Sequence, residues 1–343
     1  MRLCAMLTLA LLSFLVTPAL ATTYTVDVNG TGDFTSIYFG VEATSDGDTV
    51  LVLPGLYTGE LNNNIGSGHS GNFVMLADTS SRLPVIIDGG NTTTCFNLNS
   101  GQDAATIIGG FTIQNGHLQG GGGMRITNSS PTIENCTFRD NHASSRGGAI
   151  YIGISSSAIS NCIFHGNSAD DRGGAIYTDM SSVTITGCLF DENVTPTDWT
   201  RGGALFLEEG SETVTNCTMV GNTPDNVMVY NGSGVTVSHC IIASATDGVG
   251  ITASPADGAM LTRSVLFGNA GGDAPACDHD QIIYADPLFC DDEADDFTLC
   301  DDSFAVWYNN AWAEQIGAYG SGCEPCGTPV ETSSWGRMKA LYR

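Results

Sequence analysis

The phrase Arg-Gly-Gly-Ala-Ile-Tyr occurs at Arg146–Tyr151 and again at Arg172–Tyr177, and Arg-Gly-Gly-Ala-Leu-Phe follows at Arg201–Phe206. A second phrase keeps step with it: Asn-Cys-Thr-Phe-Arg-Asp-Asn at Asn135–Asn141, with copies at Asn161–Asn167, Gly187–Asn193 and Asn216–Asn222. Fainter copies begin at Gly110, His239 and Arg263. The cysteines of this column fall at 136, 162, 188, 217 and 240, in steps of 26, 26, 29 and 23. A fixed period of this length belongs to a solenoid, a propeller or an array of small units.

Within each unit, apolar and polar residues alternate over short runs, as in Ile159-Ser160-Asn161-Cys162-Ile163-Phe164. That is the period of a strand, and no helical spacing competes with it. Three short strands and three turns fill a unit of about 25 residues, which is too short for a propeller blade of about 40. The expectation is an all-β chain: a single-stranded right-handed parallel β-helix of about nine to eleven coils. Successive coils should lie about 4.8 Å apart.

Each part of the repeat then has a physical task. The Gly-Gly pair marks a turn with positive φ or a close approach to the next coil. The Cys and Phe of the second phrase point inward and stack on their counterparts. Cys136, Cys162, Cys188, Cys217 and Cys240 form one buried column, continued by Ser264, and act as small apolar filler. The closing Asn is expected in a left-handed turn, with its side chain hydrogen-bonded along the axis. Phe34–Thr44 has near-helical apolar spacing and is expected to plug the first coil as a short capping helix.

The ends of the chain differ from the repeat. Residues 1–21 read as a secretory signal: Arg2, the apolar run Leu3–Val16, then Ala19-Leu20-Ala21. Residues 22–320 are assigned to the β-helix and 321–343 to a Cys-containing tail, a candidate sorting or docking segment. No later stretch is long and apolar enough to span a bilayer, so the mature chain is expected to be secreted or held at the cell surface. The stretch Tyr284–Cys300 is expected to make the final coil, with Cys290 and Cys300 placed to bridge it and Cys323–Cys326 closing a small disulfide loop. Removing Cys4 with the signal leaves 12 minus 1, or 11 cysteines, so one at least stays unpaired within the chain.

Thirty-seven acidic residues against 11 basic ones give a net charge of -26. Such a chain is a poor ligand for nucleic acid, which demands a basic face. Asp286, Asp291, Asp292, Glu293, Asp295 and Asp296 crowd one stretch and offer oxygens to calcium. The run lacks the spaced loop of a dedicated calcium motif, and a solvated acidic turn is the preferred reading.

The Gly-Gly-Ala-Ile and Cys-x-Phe-x-x-Asn phrases resemble the repeats of chlamydial-type polymorphic outer-membrane proteins and of bacterial right-handed β-helix proteins. Val28–Ile37 and Asp46–Tyr57 resemble the opening of pectin methylesterases and other pectin-lyase-like β-helices. The first resemblance implies surface exposure and adhesion, the second a fold that acts on polysaccharide. The catalytic segments of the methylesterases, polygalacturonases and pectate lyases have no matching set here.

Two outward columns could carry a site. Arg139, His165 and Asp191 follow the inward Phe on successive coils, and a cation, an imidazole and a carboxylate side by side can move protons. Arg146, Arg172 and Arg201 precede the glycines. As a like-charge stack they need neutralising, for which Asp170, Asp171 and Asp198 lie near in sequence; otherwise they can grip the carboxylates of acidic sugars. The leading expectation is a secreted or cell-surface binding or structural, adhesin-like protein without catalysis, whose partner is a polysaccharide or cell-surface glycan. The alternative is a polysaccharide lyase or hydrolase acting on acidic glycans through the Arg139/His165/Asp191 column.

Overall fold

The computed structural model describes residues 21–323, apart from 197–200, 254–257, 274, 276, 307–308 and 311, and apart from the side chain of Glu293. Residues 1–20 of the expected signal at 1–21, Asp198, Cys326 and the tail beyond 323 lie outside the described residues. The chain winds into a parallel solenoid of about 11 turns.

One coil shows how the sequence builds the rest. It runs through strands Thr132–Glu134, Thr137–Arg139, His142–Arg146 and Ile150–Gly153, and the next coil begins at Ala158–Ser160. Four left-handed residues turn its corners: Asn135, Asp140, Gly147 and Ile154, with φ of 54, 54, 66 and 53°. The next coil repeats them at Asn161, Gly166, Gly173 and Met180. The left-handed residue is thus the one before the closing Asn, not the closing Asn itself. An Asp or a Gly takes that strain, leaving Asn141 and its counterparts free for another task.

That task is a ladder. Asn141 Nδ2 donates to Asn167 Oδ1 at 3.0 Å, Asn167 Nδ2 to Asn193 Oδ1 at 2.9 Å, and Asn193 Nδ2 to Asn222 Oδ1 at 2.9 Å. Each of these acceptor oxygens also takes the backbone N–H of the asparagine in the preceding coil. All four side chains are fully buried. A buried amide would cost free energy if left unpaired, and stacking identical amides pairs each with the next.

Register between coils is strict. Thr137, Ile163, Leu189, Thr218, Ile241 and Val265 are direct partners in sequence, and so are Phe138, Phe164, Phe190, Met219, Ile242 and Leu266. The Phe138, Phe164 and Phe190 rings stack nearly parallel at centroid spacings of 5.1 and 4.7 Å. The five repeat cysteines form the expected buried column with reduced thiols. Cys136 N–H donates to Cys162 Sγ, and at the end of the column Cys240 N–H donates to Ser264 Oγ at 3.1 Å. Burial pushes the Cys162, Cys188, Cys217 and Cys240 thiols far up from their ordinary value.

One acid sits inside this core. Glu212 occupies the inward corner between Val183 and Val235 of the adjacent coils, and its side chain is fully buried. Thr178, itself facing inward, donates to Glu212 Oε1 at 2.8 Å, while Oε2 meets no hydrogen-bond partner among the described residues. Burial raises the carboxyl's pKa above its ordinary 4.5. The unfolded chain loses this proton first, so the group's contribution is full below about pH 4.5 and is lost as pH rises through the folded value. Glu212→Gln is therefore expected to raise the melting temperature at pH 8 and leave it unchanged at pH 4, measured by circular dichroism at both pH values.

The N-terminal plug is shorter than its apolar spacing suggested: the helix is Ile37–Glu42, with Ile37, Gly40 and Val41 buried on the first coil. At the other end the last rung is Asp278–Ile283, whose exposed Asp278, His279 and Asp280 blunt a strand edge. The expected final coil at 284–300 is not a coil. Phe289–Asp291 pairs antiparallel with Asp296–Cys300, which pairs parallel with Ser321–Cys323. This small sheet folds back along the flank of the solenoid. Phe289, Phe297 and Tyr319 cover Leu189 and Val220, while Leu299, Ala305, Val306 and Ile316 cover Ile241, Ala243 and Val265. Gly317 N–H donates to the His239 carbonyl at 2.7 Å, and Glu314 bridges His239 and Arg263 at 2.6 and 3.0 Å. The disulfide joins Cys290 to Cys323, replacing the expected Cys290–Cys300 bridge and Cys323–Cys326 loop. Strand pairing brings Cys323 beside Cys300, and Cys290 reaches it from the antiparallel neighbour. In the acidic stretch, Asp286, Asp291 and Asp296 accept backbone N–H groups of Leu288, Ala294 and Thr298. These three carboxylates thus serve as turn caps.

Candidate functional site

The repeated Arg-Gly-Gly explains its own geometry. At Gly148 a Cβ would lie 2.1 Å from the Gly174 carbonyl oxygen and 2.4 Å from that of Ser168, so the coils can stack at this corner only without side chains. Arg146 and Arg172 are paired in register immediately before the corner. Beyond it the chain enters the strands Met124–Thr127, Ile150–Gly153, Ile176–Asp179, Leu205–Glu208 and Val227–Tyr230, which belong to one parallel sheet. Alternate residues face outward. One outward column reads Arg125, Tyr151, Tyr177, Phe206 and Met228, and the next reads Thr127, Gly153, Asp179, Glu208 and Tyr230.

The arginines lie across the rings of this surface. Arg125 stands 5.5 Å from the Tyr151 centroid, Arg146 5.0 Å from Tyr177, and Arg172 5.0 Å from Phe206 and 5.9 Å from Tyr230. Each guanidinium is attracted to the negative face of a ring, which relieves the repulsion of the stack. Carboxylates relieve the rest. Asp171 lies 3.5 Å from Arg146 and forms a short pair with Arg201, at 2.5 Å. Glu208 lies 3.2 Å from Arg172 and 3.9 Å from Arg146. Tyr177 accepts from Arg146 Nη1 at 2.7 Å and donates to Glu208. Burial, then the Glu208 charge, raises the Asp179 carboxyl above its ordinary range, while burial, then the hydrogen bond to Glu208 and its charge, raises the Tyr177 phenol.

Of the residues expected to neutralise the arginines, Asp171 does so, Asp170 instead faces His142 at 3.7 Å, and Asp198 lies outside the described residues. Glu208, Asp179 and the ring column were missed. Their signal was present, because Asp179 and Glu208 each follow an outward ring by two residues, one strand period later. The charge balance singles out this edge. The described residues hold seven basic side chains, all arginines, and four of them (Arg125, Arg146, Arg172 and Arg201) stand here in a chain of net charge -26. Arg146 and Arg172 keep 36% and 31% of their side chains exposed. Among the described residues Arg172 donates hydrogen bonds only through Nη1, and its Nε lies 3.8 Å from Asp171, so Nη2 can meet an incoming carboxylate.

The second column lies on a different face. Asp88, Gln114, Arg139, His165 and Asp191 are in direct register over five coils. Gln114 Nε2 donates to Asp88 at 2.7 Å, and Arg139 Nε donates to Gln114 Oε1 at 2.8 Å. His165 Nδ1 lies 2.7 Å from Asp191 Oδ2. The structure therefore joins His165 to Asp191 and turns Arg139 the other way, towards Gln114. Asp191 is buried where Phe297 and Tyr319 cross the neighbouring Leu189, and His165 stands at the border of that cover, a third exposed. A buried carboxylate holding one imidazole nitrogen orients the other for proton transfer.

A parallel solenoid with an internal asparagine ladder defines a class of β-helix proteins. The sequence profile described as right-handed beta helix region matches residues 58–199 and 122–282. The chain belongs to that family. Among solved structures it is similar to the pectin methylesterase from Aspergillus niger in deglycosylated form, at 16% identity and a TM-score of 0.47, over 79% of this chain and 92% of that one. It is also similar to a pectate lyase, at 14% identity and a TM-score of 0.47, over 88% of this chain and 97% of that one. A search of curated proteins gives no match. No helix among the described residues is long and apolar enough to cross a membrane.

Proposed function

We propose that this chain is an exported β-helix that binds acidic glycans, without catalysis, along the edge formed by Arg146, Arg172 and Arg201. The observation that carries the reading is the gathering of four of the seven described arginines on one ring-lined edge of a strongly acidic chain. Guanidinium groups bind carboxylates through paired, charge-assisted hydrogen bonds, and the half-buried Tyr151 ring and the exposed Tyr230 ring give sugar faces a flat support. The leader-like first 21 residues support delivery to the secretory route, where a surface or secreted protein meets such polymers.

Titration calorimetry with polygalacturonate and alginate tests this directly. The Arg146→Ala/Arg172→Ala protein is expected to bind at least about 10-fold more weakly than the parent, since each lost charge-assisted bond is worth about 1.5–3 kcal/mol. Parental binding should weaken as salt is raised. Unchanged affinity in the double variant would overturn the reading. Release of reducing ends or unsaturated product by the parent, abolished in His165→Ala, would replace it with catalysis at the His165–Asp191 pair.

A further inference from the structure

Asp171, Asp179 and Glu208 are the carboxylates set among the arginines of this edge, and two of them pair with guanidinium groups. Asp179 does not. It is half-buried, and among the described residues its side chain accepts no hydrogen bond and enters no ion pair. Taking a charge partly out of water without a partner costs free energy. The fold does not ask for an acid there, since the same column carries Thr127 and Gly153 on preceding coils and Tyr230 further on.

Its surroundings determine what it does to a ligand. Asp179 is the direct register partner of Glu208 on the next coil, so two carboxyl groups leave neighbouring strands about 5 Å apart. The other titratable and charged groups facing Asp179 are Tyr177 on its own strand, Tyr151 on the preceding coil, and Arg146 reaching across from the corner. Glu208 is held as the charged member: Arg172 Nη1 lies 3.2 Å from Oε1 and 3.3 Å from Oε2, and the Tyr177 hydroxyl donates to it. A glycan carboxylate received by Arg172 Nη2 is held beside this pair, where charges are screened only in part, the Debye length being about 8 Å in physiological salt. Three negative groups then crowd together, and keeping all of them ionised is costly. The glycan has Arg172 Nη2, and Glu208 has Nη1 and Tyr177. Asp179 has neither, so it is the group that takes a proton. Neutral, it can donate a hydrogen bond to the bound carboxylate.

We infer that binding of an acidic glycan at this edge is coupled to uptake of one proton by Asp179, so that the hold tightens as the medium is acidified. The inference rests on the acidic-glycan reading above and adds its regulation. Burial, then the Glu208 charge, already raises this carboxyl above its ordinary 3.8, with Arg146 opposing. A bound carboxylate raises it further, and by reciprocity the proton strengthens binding. The gain is absent above the pKa of the bound form, grows as pH falls through it, and is complete below the pKa of the unliganded protein.

The test is titration calorimetry of the full chain with polygalacturonate at pH 5, 6 and 8, in two buffers of different ionisation enthalpy, which reads affinity and proton uptake together. From pH 8 to pH 5 the parent is expected to gain at least about fivefold more affinity than Asp179→Asn, the lower end of coupling between two sites. The parent should take up a proton in that range that the variant does not. At pH 8 the variant should bind more tightly than the parent by a similar factor. The six histidines and the overall charge of the chain titrate alike in both proteins, so the difference isolates Asp179. Equal pH dependence and equal proton uptake overturn the inference and leave the acidic-glycan reading standing. Weaker binding by the variant at pH 8 also overturns it, because Asp179 would then act as an ionised ligand. A melting temperature more than about 3 °C lower in the variant overturns it too, since the carboxylate would then serve the fold. Absence of binding by both proteins at every pH overturns both readings.

Discussion

Asn167→Ala is expected to lower the stability of the solenoid by about 4 kcal/mol, read from the shift of its urea unfolding midpoint. The side chain accepts from the backbone N–H and side-chain amide of Asn141, and donates to the Phe138 carbonyl and to Asn193. Its loss leaves the Asn141 N–H and the Phe138 carbonyl each short of a partner in a site sealed from water. Each orphaned group costs about 1–3 kcal/mol, and the vacated volume adds to that. Asn222→Ala should cost as much, because Asn222 takes two bonds from Asn193 and donates to Phe190 and Asn226. A loss below about 1 kcal/mol at both positions would mean that the ladder holds register without holding the fold.

Gly317→Val should detach the C-terminal sheet from the flank. Gly317 has φ +86°, and a Cβ there would lie 2.6 Å from Ile241 Cδ1 and 2.9 Å from Thr218 Oγ1. Branched side chains disfavour this conformation, and the collision comes at the contact that lets Gly317 donate to His239 and Ala318 to Thr218. Undocking exposes Leu189, Val220, Ile241 and Val265, so the expected loss is at least about 3 kcal/mol from apolar area alone. Limited proteolysis should then cut between 284 and 323 while the solenoid survives, and a hydrophobic dye should bind. Unaltered proteolysis would show that the segment is held by contacts other than this one.

Much of this architecture could be read from letters about 26 apart. The cysteine column, the phenylalanine stack, the amide ladder and the Arg146–Arg172 register follow from aligning the two phrases, because a solenoid turns sequence period into spatial adjacency. The corners were read less well. Closing Asn residues suggested left-handed turns, yet Asp140, Gly166, Glu192 and Gly221 take that conformation, and no sequence rule separates two neighbouring turn formers. The counter-charges of the arginines were sought among nearby residues, whereas Glu208 reaches Arg172 from 36 positions away. The C-terminal sheet was not legible because it has no period. Its docking did leave a trace: the outward positions change from Thr137 and Arg139 to Leu189, Val220, Ala243 and Val265 where the cover lies. Apolar residues on both faces of a strand signal a second layer. That also explains why Asp191, aligned with the half-exposed Arg139 and His165, ends up buried.

The sulfur column bears on where such a chain can survive. Attack on an oxidant or on another protein's disulfide proceeds through the ionised form, which burial withholds at Cys162, Cys188, Cys217 and Cys240. Five stacked thiols behave as inert packing, out of reach of the enzymes that stitch accessible cysteines together. Among the described residues the one disulfide, Cys290–Cys323, lies in the docked sheet. A coil can therefore be duplicated or lost in evolution, cysteine included, without disturbing how the remaining sulfurs are joined.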